Sequence, residues 1–301
     1  MKVLVTGATG LIGKQLGLAL HRKGHSIIVT SRDSKKAKNQ LPFPCEVIEC
    51  DLGKAPLKEK VSVDAVFHLM GENVTARRWN EAVKKEILDS RVLSARNLNA
   101  SLTDSISFYL SSSGVGIYGD RPGISLTEQS SFDGSFLSNV CVAWEKEADQ
   151  ILLVQPKAKV AKIRTGIVLS SEGGALDKML PAFKMGVGGA LAGGKQYMSW
   201  IHIEDLVAMM IFAFEKNIAG AFNGVAPHPV TNKEFSKTLA DVLHRPLGPS
   251  VPRFALKILF GEMAEIMCAD QKASPTHALN NGFQFKYTLL KDALTQAVLA
   301  K

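Results

Sequence analysis

The stretch Thr6-Gly7-Ala8-Thr9-Gly10-Leu11-Ile12-Gly13 decides the fold, because its three glycines stand at a spacing of three residues between two regular patterns. The run before it, Lys2–Thr6, is mostly apolar and partly β-branched, as buried parallel strands are. Residues 11–23 carry apolar side chains at helical spacing and are followed by Gly24, a typical helix C-cap residue. The stretch is therefore predicted to be the turn between a strand and a helix.

A glycine turn of this kind is typical of dinucleotide-binding βαβ units. The first glycine permits the tight turn, the second lets the backbone approach a pyrophosphate, and the third lets the helix pack close to the strand. The free N–H groups at the helix N-terminus then bind the negative phosphates. The residues predicted to surround the pyrophosphate are Gly7, Thr9, Gly10, Leu11, Ile12 and Gly13. The alternative is a glycine turn with a structural role only.

Strand and helix patterns go on alternating along the chain. Strands are predicted at residues 26–30, 64–69, 106–110 and 159–164, and helices at residues 79–100 and 136–153. Repeated βα units predict an α/β fold, a Rossmann-type doubly wound parallel sheet whose ligand lies beyond the carboxyl ends of the strands.

The alternation of strand and helix patterns ends after Arg164. A glycine-rich segment at residues 186–194 is followed by helical patterns at residues 232–243 and 254–267. At this length, one large domain with a smaller cap is the expected organisation. We predict a dinucleotide-binding Rossmann domain over residues 1–165, completed by about residues 196–226, and a smaller C-terminal substrate-binding cap from residues 166–195 and 227–301.

Composition excludes several classes of protein. The chain has 301 residues, 46% of them hydrophobic and 21% charged, which is typical of a globular protein. It lacks an apolar run long enough to span a membrane and, at its start, the cleavage site of a signal peptide, so the cytoplasm is the predicted compartment. The four cysteines contain no C-x-x-C pair, and no metal site is predicted.

The net charge of +8 indicates an anionic partner. The basic residues form short clusters, such as Lys35-Lys36 and Lys84-Lys85, without the long basic stripe and interleaved aromatic residues of nucleic-acid-binding surfaces. An anionic small molecule is therefore the predicted partner, and neither nucleic acid nor a membrane is expected.

The end of the second strand selects between the two nicotinamide cofactors. An acidic residue there binds the ribose 2′-OH of NAD, whereas an arginine accommodates the 2′-phosphate of NADP. Ser31-Arg32 occupies this position and predicts NADP, although the adjacent Asp33 leaves NAD as the alternative. At the next strand ends, Asp51 and Leu52 are predicted beside the adenine. Beside the ribose and pyrophosphate we predict Leu69, Met70 and Gly71.

Several motifs together connect the chain with a known family. They are TGATGLIG at residues 6–13, HLMGEN at 68–73, SSSGVGIYG at 111–119 and MSWIHIEDL at 198–206. These motifs resemble the extended short-chain dehydrogenase/reductase superfamily, which includes sugar-nucleotide epimerases and dehydratases. More narrowly, the chain resembles the YfcH-type epimerase family proteins through GEN-x5-RW at residues 71–79, SRV at 90–92, WE at 144–145, RTGIVL at 164–169, NGVAP at 223–227 and GF-x-F at 282–285.

The resemblance implies a catalytic serine. Ser112 and Ser113 follow the fifth strand, where the superfamily places a serine that holds the substrate oxygen, and we take Ser113 as that residue and Ser112 as a cofactor contact. Ordinary turn hydroxyls are the alternative. The resemblance also places Glu86, Arg91 and Val168 along the cofactor, and Arg91 either reaches a phosphate or pairs on a solvated helix face.

The superfamily's Y-x-x-x-K couple is missing from its usual place. Aligning Glu145 with the superfamily's glutamate puts Leu137 at the tyrosine position and Cys141 at the lysine position. No tyrosine or lysine occurs from residue 121 to residue 145. Tyr118, from the superfamily's V-Y-G, is the remaining proton-transfer candidate.

Other candidates have plainer interpretations. The distant Tyr287-x-x-x-Lys291 is interpreted as helix surface, and His202 with Asp205 as a structural strand-to-helix motif. The segment 77–79 could bind a phosphorylated or nucleotide-linked substrate by charge and stacking, although a basic helix start would have the same sequence.

Two functions remain open from the sequence. One is an NADP-dependent oxidoreductase or sugar-nucleotide-epimerase-like enzyme that acts on an anionic, nucleotide-linked small molecule. The other is a catalytically weak NADP(H)-binding sensor or structural protein.

Overall fold

The structure is a computed structural model that describes residues 1–103 and 106–299. Its strands are β1 (Lys2–Thr6), β2 (Ser26–Ser31), β3 (Glu46–Glu49), β4 (Ala65–His68), β5 (Phe108–Gly114), β6 (Ser125–Leu126), β7 (Lys159–Thr165), β8 (Ile167–Leu169), β9 (Tyr197–Met198), β10 (Trp200–His202), β11 (Gly220–Gly224), β12 (Val230–Thr231) and β13 (Lys272–Ala273). Its helices are α1 (Leu11–Arg22), α2 (Ser34–Gln40), α3 (Glu81–Ala100), α4 (Phe136–Asp149), α5 (Gly174–Lys184), α6 (Ile203–Glu215), α7 (Asn232–Val242), α8 (Arg253–Phe260), α9 (Ala264–Cys268), α10 (Thr276–Asn280) and α11 (Leu290–Leu299).

A parallel sheet forms the centre of the molecule. In the part of the chain that the structure describes it has seven strands, in the order β11-β7-β5-β4-β1-β2-β3. Thr6 at the end of β1 lies level with Thr30 of β2 and His68 of β4, so the carboxyl ends of these strands meet at one edge. This order confirms the predicted Rossmann-type α/β fold, and the reversal of strand order at β1 opens the crevice in which such sheets bind ligands.

Helices cover both faces of the sheet. Side chains alternate across a strand, so Val3 and Val5 of β1 point to one face while Leu4 points to the other. The first face is packed by α1 and α6, through residues such as Leu16 and Met210. The second face is covered by α3 and α4, whose Leu98 and Ala148 are fully buried there. Burial on both faces explains why these strands are continuously apolar.

A separate apolar cluster holds the C-terminal region together. It brings together buried side chains of α5, α7, α11 and β10, among them Leu176, Phe235, Leu294 and Trp200. A further cluster joins α8 and α9 to the starts of α3 and α4. These two clusters also include residues outside 166–195 and 227–299, such as Trp200, so the predicted cap boundaries stay a prediction.

The structure differs most from the sequence prediction at three elements. The predicted helix at 254–267 is interrupted after α8, where Gly261 takes a φ of +61° and a short 3-10 turn (Gly261–Met263) leads into α9. Strand β5 starts later and ends later than predicted, because its serines continue the ladder with β7 as far as Gly114. Strand β3 is short and half polar, so the sequence pattern did not predict a strand at these residues.

No helix in residues 1–103 and 106–299 is long and apolar enough to cross a bilayer.

Candidate functional site

The glycine turn lies between β1 and α1 at the carboxyl edge of the sheet. Gly7 has a φ of +69°, and a Cβ added to it would lie 2.9 Å from the backbone carbon and oxygen of Leu69. A Cβ on Gly13 would lie 2.3 Å from the Gly7 carbonyl oxygen. Both positions therefore require glycine, because the turn packs directly against the end of β4 and against the first turn of α1.

Gly10 differs from these two glycines. Its backbone is in the extended region, and a Cβ would meet only the Gly7 carbonyl oxygen, at 3.3 Å, with no other non-local atom of the described chain within 4 Å. Gly10 is the N-cap of α1, and among the described residues no side chain caps this helix or adds an acidic group to its first turn. The N–H groups of the first turn are thus available to an anion, and the space beside Gly10 is open, as the predicted pyrophosphate site requires.

The two charged residues that follow β2, Arg32 and Asp33, have different environments. The Asp33 carboxylate accepts a hydrogen bond from the Lys36 backbone N–H at 2.8 Å and caps α2, so it is engaged in holding that helix. The Ser31 hydroxyl donates to the Asp33 carbonyl oxygen at 3.0 Å. Arg32 is exposed and forms no ion pair within the described ranges. This end of the strand therefore offers a cation to a ligand.

The other predicted cofactor residues fall into two groups. Residues of the first group lie at the carboxyl edge of the sheet or beside it. Four of them are partly buried, Gly71 is exposed and Ser112 is buried; the four are Asp51, Leu69, Met70 and Val168. Leu52 belongs to the core cluster between the sheet and the second layer of helices and is 1% exposed. Its side chain is therefore packed away from the edge at which the adenine is predicted.

Arg91 and Glu86 on α3 are engaged with the protein itself. The Arg91 guanidinium donates to the carbonyl oxygens of Ile87 and Glu72, both at 2.9 Å, and lies over the Trp144 ring. Burial lowers the pKa of Arg91. Glu86 is exposed and hydrogen-bonded to the Arg77 guanidinium. In this structure Arg91 shapes the loop after β4, so the solvated helix pair does not describe its position, and the phosphate contact stays a prediction.

A buried polar chain lies beneath the glycine turn. The Thr6 hydroxyl lies 2.8 Å from Nδ1 of His68, and the Ser94 hydroxyl lies 3.2 Å from Nε2 on the other side of the ring. Ser94 donates to the Ser90 carbonyl oxygen at 2.6 Å, so it accepts from a protonated Nε2 and Thr6 donates to Nδ1. All three side chains are fully buried, and burial lowers the pKa of His68 to about 3. A neutral histidine thus connects β1, β4 and α3.

Stability should depend on pH through His68. The unfolded chain binds a proton at His68 near pH 6.5, whereas the folded chain does so only near pH 3. The free energy of unfolding should therefore fall as the pH drops from about 6.5, by up to about 1.4 kcal/mol per pH unit from this group. Urea unfolding between pH 4 and pH 7 measures this slope. A His68→Gln variant should show a shallower slope than wild type, and equal slopes would contradict the assignment.

Residues from four motifs of the sequence converge on one buried network beside the strand ends. The Ser113 hydroxyl donates to Oε1 of Glu145 at 2.7 Å, and Arg164 donates to both Glu145 oxygens at 2.9 Å. Arg164 also donates to the Tyr118 hydroxyl at 2.9 Å, and that hydroxyl donates to Oδ1 of Asn223 at 2.6 Å. Burial lowers the pKa of Arg164, but the hydrogen bonds and charges of Glu145 and Tyr118 together raise it above its ordinary value.

The network determines what Tyr118 can do. The ring is 0% exposed, and its hydroxyl is held between Arg164 and Asn223. Burial raises the pKa of Tyr118. A buried hydroxyl with both partners inside the protein does not face a cleft, so this geometry favours a structural role over the predicted proton transfer.

The positions of the missing couple are filled by groups that do not transfer protons readily. Leu137 packs near Gly116, whose added Cβ would lie 3.6 Å from the leucine Cβ. Cys141 is buried, and burial raises the pKa of its thiol to about 11. Ser113 is also buried, and its proton points to Glu145, so toward any ligand the hydroxyl offers lone pairs.

His202 and Asp205 occupy a strand-to-helix junction. His202 Nδ1 accepts from the Glu204 backbone N–H, which makes it the N-cap of α6. The Asp205 carboxylate accepts from the backbone N–H groups of Lys286 and Tyr287, at 2.8 and 2.9 Å. This is the structural role expected for both residues. Tyr287 itself is buried against the His202 ring and precedes α11, so its interpretation as helix surface was wrong.

The aromatic residue of the 77–79 segment is also buried. The Trp79 indole packs edge-on against Phe136 and donates to the Val74 carbonyl oxygen at 2.9 Å. It stabilises the contact between the loop after β4 and the start of α4, and it is not positioned to stack on a substrate. Arg77 and Arg78 remain exposed.

The comparisons with known proteins agree with this geometry. The sequence profile of the NAD dependent epimerase/dehydratase family matches residues 3–224, and that of a domain of unknown function, DUF1731, matches residues 251–297. A chloroplastic epimerase family protein from Arabidopsis thaliana is 38% identical over 304 residues, covering 98% of this chain and 86% of the relative.

Two solved structures share the whole fold. The crystal structure of the human epimerase family protein SDR39U1 (isoform 2) with NADPH has a TM-score of 0.88, with 32% identity over 99% of each chain. A nucleoside-diphosphate sugar epimerase from Corynebacterium glutamicum has a TM-score of 0.74 and 29% identity, covering 99% of this chain and 58% of that one. The chain therefore belongs to the NAD dependent epimerase/dehydratase family and, within it, to the epimerase family proteins of the SDR39U1 type.

Proposed function

We propose that the chain binds NADP(H) along the carboxyl edge of its sheet and acts as an epimerase- or oxidoreductase-like enzyme on a small anionic, nucleotide-linked substrate. The human relative crystallised with NADPH supports the cofactor, and the nucleoside-diphosphate sugar epimerase supports the substrate class. The glycine turn would hold the pyrophosphate through backbone N–H groups of α1. When bound, the nicotinamide supplies hydride transfer.

The residues after β2 provide the observation that most directly supports NADP as the cofactor. The Asp33 carboxylate is engaged as the cap of α2, while the exposed Arg32 has no acidic partner in the described ranges. A ribose 2′-OH would meet a carboxylate whose Oδ1 is already held by the Lys36 backbone N–H, whereas a 2′-phosphate would meet the exposed guanidinium of Arg32. The electrostatic arrangement therefore favours NADP over NAD.

Replacing Arg32 with alanine should weaken NADPH binding selectively. A charge-assisted contact to phosphate contributes about 1.5 to 3 kcal/mol, so the Kd for NADPH should rise roughly 10- to 150-fold while the Kd for NADH changes little. Fluorescence titration with both cofactors measures the two constants. Arg22→Ala, which removes an exposed arginine from the far end of α1, is the matched control. Equal losses for NADPH and NADH, or no loss, would refute the assignment of Arg32.

The residues at the tyrosine and lysine positions of the superfamily favour a second function, that of an NADP(H) sensor or structural protein. Leu137 and a buried Cys141 replace the couple, and the Tyr118 hydroxyl is held inside the protein. A chain with this arrangement could keep NADP(H) as a signal or a structural ligand and turn over slowly or not at all, because general acid–base catalysis typically contributes about 10²- to 10⁴-fold.

Turnover experiments separate the two functions. Candidate nucleoside-diphosphate sugars are supplied with saturating NADPH and, in a separate assay, with saturating NADP⁺, which accepts hydride from the sugar, and the redox state of the cofactor and the formation of sugar products are followed over time. If the chain is an enzyme, Ser113→Ala should lower kcat strongly, while Tyr118→Phe should act mainly on stability. Tight NADPH binding without turnover of any candidate would favour the sensor.

We propose the cytoplasm as the compartment. The composition, which is typical of a globular protein, supports it, and localisation of a C-terminally tagged chain by microscopy tests it.

A further inference from the structure

A hydrogen-bonded bridge crosses the carboxyl edge of the sheet. Nζ of Lys178, on α5, donates to the hydroxyl of Thr75 at 2.8 Å and to its carbonyl oxygen at 3.2 Å. Thr75 lies in the loop between β4 and α3 (residues 69–80), more than one hundred residues away along the chain. Lys178 has no carboxylate partner within the described ranges, so Thr75 is the contact that holds its side chain.

The two ends of the bridge belong to opposite faces of the sheet. The start of α5 lies beside α1, because a Cβ on Gly174 would be 3.5 Å from Leu11 and Gln15 donates to Glu172 at 3.3 Å. Thr75 belongs to the loop that leads into α3, on the other face. A contact between the two must pass above the edge where β1 and β4 end. This is also the edge to which the glycine turn brings its free N–H groups.

The β4–α3 loop is held in shape on its own side. The Glu72 backbone N–H donates to the Ser90 hydroxyl at 3.0 Å, and the Arg91 guanidinium holds the Glu72 carbonyl oxygen. The Asn73 side chain accepts from the Thr75 backbone N–H at 2.9 Å. The loop therefore presents Thr75 to Lys178 without needing to be ordered by a ligand.

We propose that the Lys178–Thr75 bridge is a latch over the dinucleotide groove that controls exchange of the bound cofactor. This inference rests on the proposed NADP(H) site. With the bridge closed, a dinucleotide on the glycine turn lies under α5 and the β4–α3 loop, and it enters or leaves only when Lys178 releases Thr75. The latch stabilises the closed state equally with and without ligand, so it acts on rates and leaves the affinity nearly unchanged.

Stopped-flow fluorescence with NADPH tests the latch. Lys178→Met keeps the length of the side chain and removes the ammonium group, so association and dissociation should both accelerate, on the order of 5-fold for an exposed charge-assisted contact, with Kd unchanged within about twofold. Thr75→Val should accelerate both rates less, because the carbonyl acceptor remains, and Thr75→Ser should restore wild-type rates. Lys184→Met, at the exposed end of the same helix, is the matched control.

Other outcomes overturn the proposal. Faster dissociation with slower association would mean that Lys178 contacts a phosphate directly, and unchanged rates would mean that the bridge does not limit exchange. Hydrogen exchange of residues 72–79 without ligand provides a second measurement, since Lys178→Met should speed exchange there. If wild type does not bind NADPH, the proposed function fails. If NADPH binds but neither the rates nor the exchange respond, only the latch fails.

Discussion

Replacing Gly10 with valine is expected to abolish NADPH binding while the protein stays folded. The Cβ of residue 10 would meet one protein atom, the Gly7 carbonyl oxygen at 3.3 Å, so its branches extend into the space assigned to the pyrophosphate. The backbone of Gly10 is in the extended region, which valine adopts without strain. We expect a loss of at least about 100-fold in affinity, because the phosphates lose both their space and their approach to the N–H groups of α1.

Titration with NADPH measures the loss of binding, and circular dichroism on the same sample shows whether the protein stays folded. Gly10→Ala should weaken binding less, since a single methyl group fills part of the space. Gly13→Ala is the contrasting variant, because its Cβ would lie 2.3 Å from the Gly7 carbonyl oxygen and should disturb the fold itself. Normal NADPH affinity in a folded Gly10→Val protein would show that the groove beside this turn is not the phosphate site.

Replacing Glu145 with alanine is expected to cost about 3 to 5 kcal/mol of unfolding free energy. The variant leaves the Arg164 guanidinium buried without its carboxylate and removes the acceptor of the Ser113 hydroxyl. An uncompensated buried charge is one of the few causes of such a large loss. Glu145→Gln, which keeps an acceptor for Arg164, should lose less.

Chemical denaturation of both variants measures the cost. Glu215→Ala is the control, because it breaks an ion pair with Lys23 at 2.8 Å whose side chains are nearly half exposed. Such pairs contribute roughly 0 to 1 kcal/mol. Equal losses for Glu145→Ala and Glu215→Ala would mean that the buried network does not stabilise the fold.

The parts of the molecule that the sequence predicts well are those encoded locally. The glycine turn is one, because three residues at fixed spacing between a strand and a helix carry its geometry. The sheet is another, because buried parallel strands are apolar along their whole length. The boundaries of β5 were less accessible, since its polar end, Ser111 to Ser113, is paired with β7 and does not look like a buried strand.

The roles of single side chains were predicted less well, because distant residues decide them. Tyr118 is fixed by Arg164 and Asn223, which are 46 and 105 residues away along the chain. His68 was visible within a motif, yet its role depends on Thr6 and on Ser94 of α3. The WE, RTGIVL and NGVAP motifs were useful for resemblance, and only the fold shows that they meet.

The contact between Gly7 and Leu69 links the shape of the glycine turn to the order in which the chain assembles. The turn rests on the end of β4, so the first βαβ unit alone does not complete it, and β4 must dock on β1 across about sixty residues of intervening chain. Closing so long a loop lowers the conformational entropy of the chain before the contact between β1 and β4 stabilises it. A cofactor that binds the finished turn then favours the assembled sheet over the unfolded chain, by about 2.7 kcal/mol when its concentration is 100 times Kd. Cofactor supply would in this way set how much of the protein a cell keeps folded.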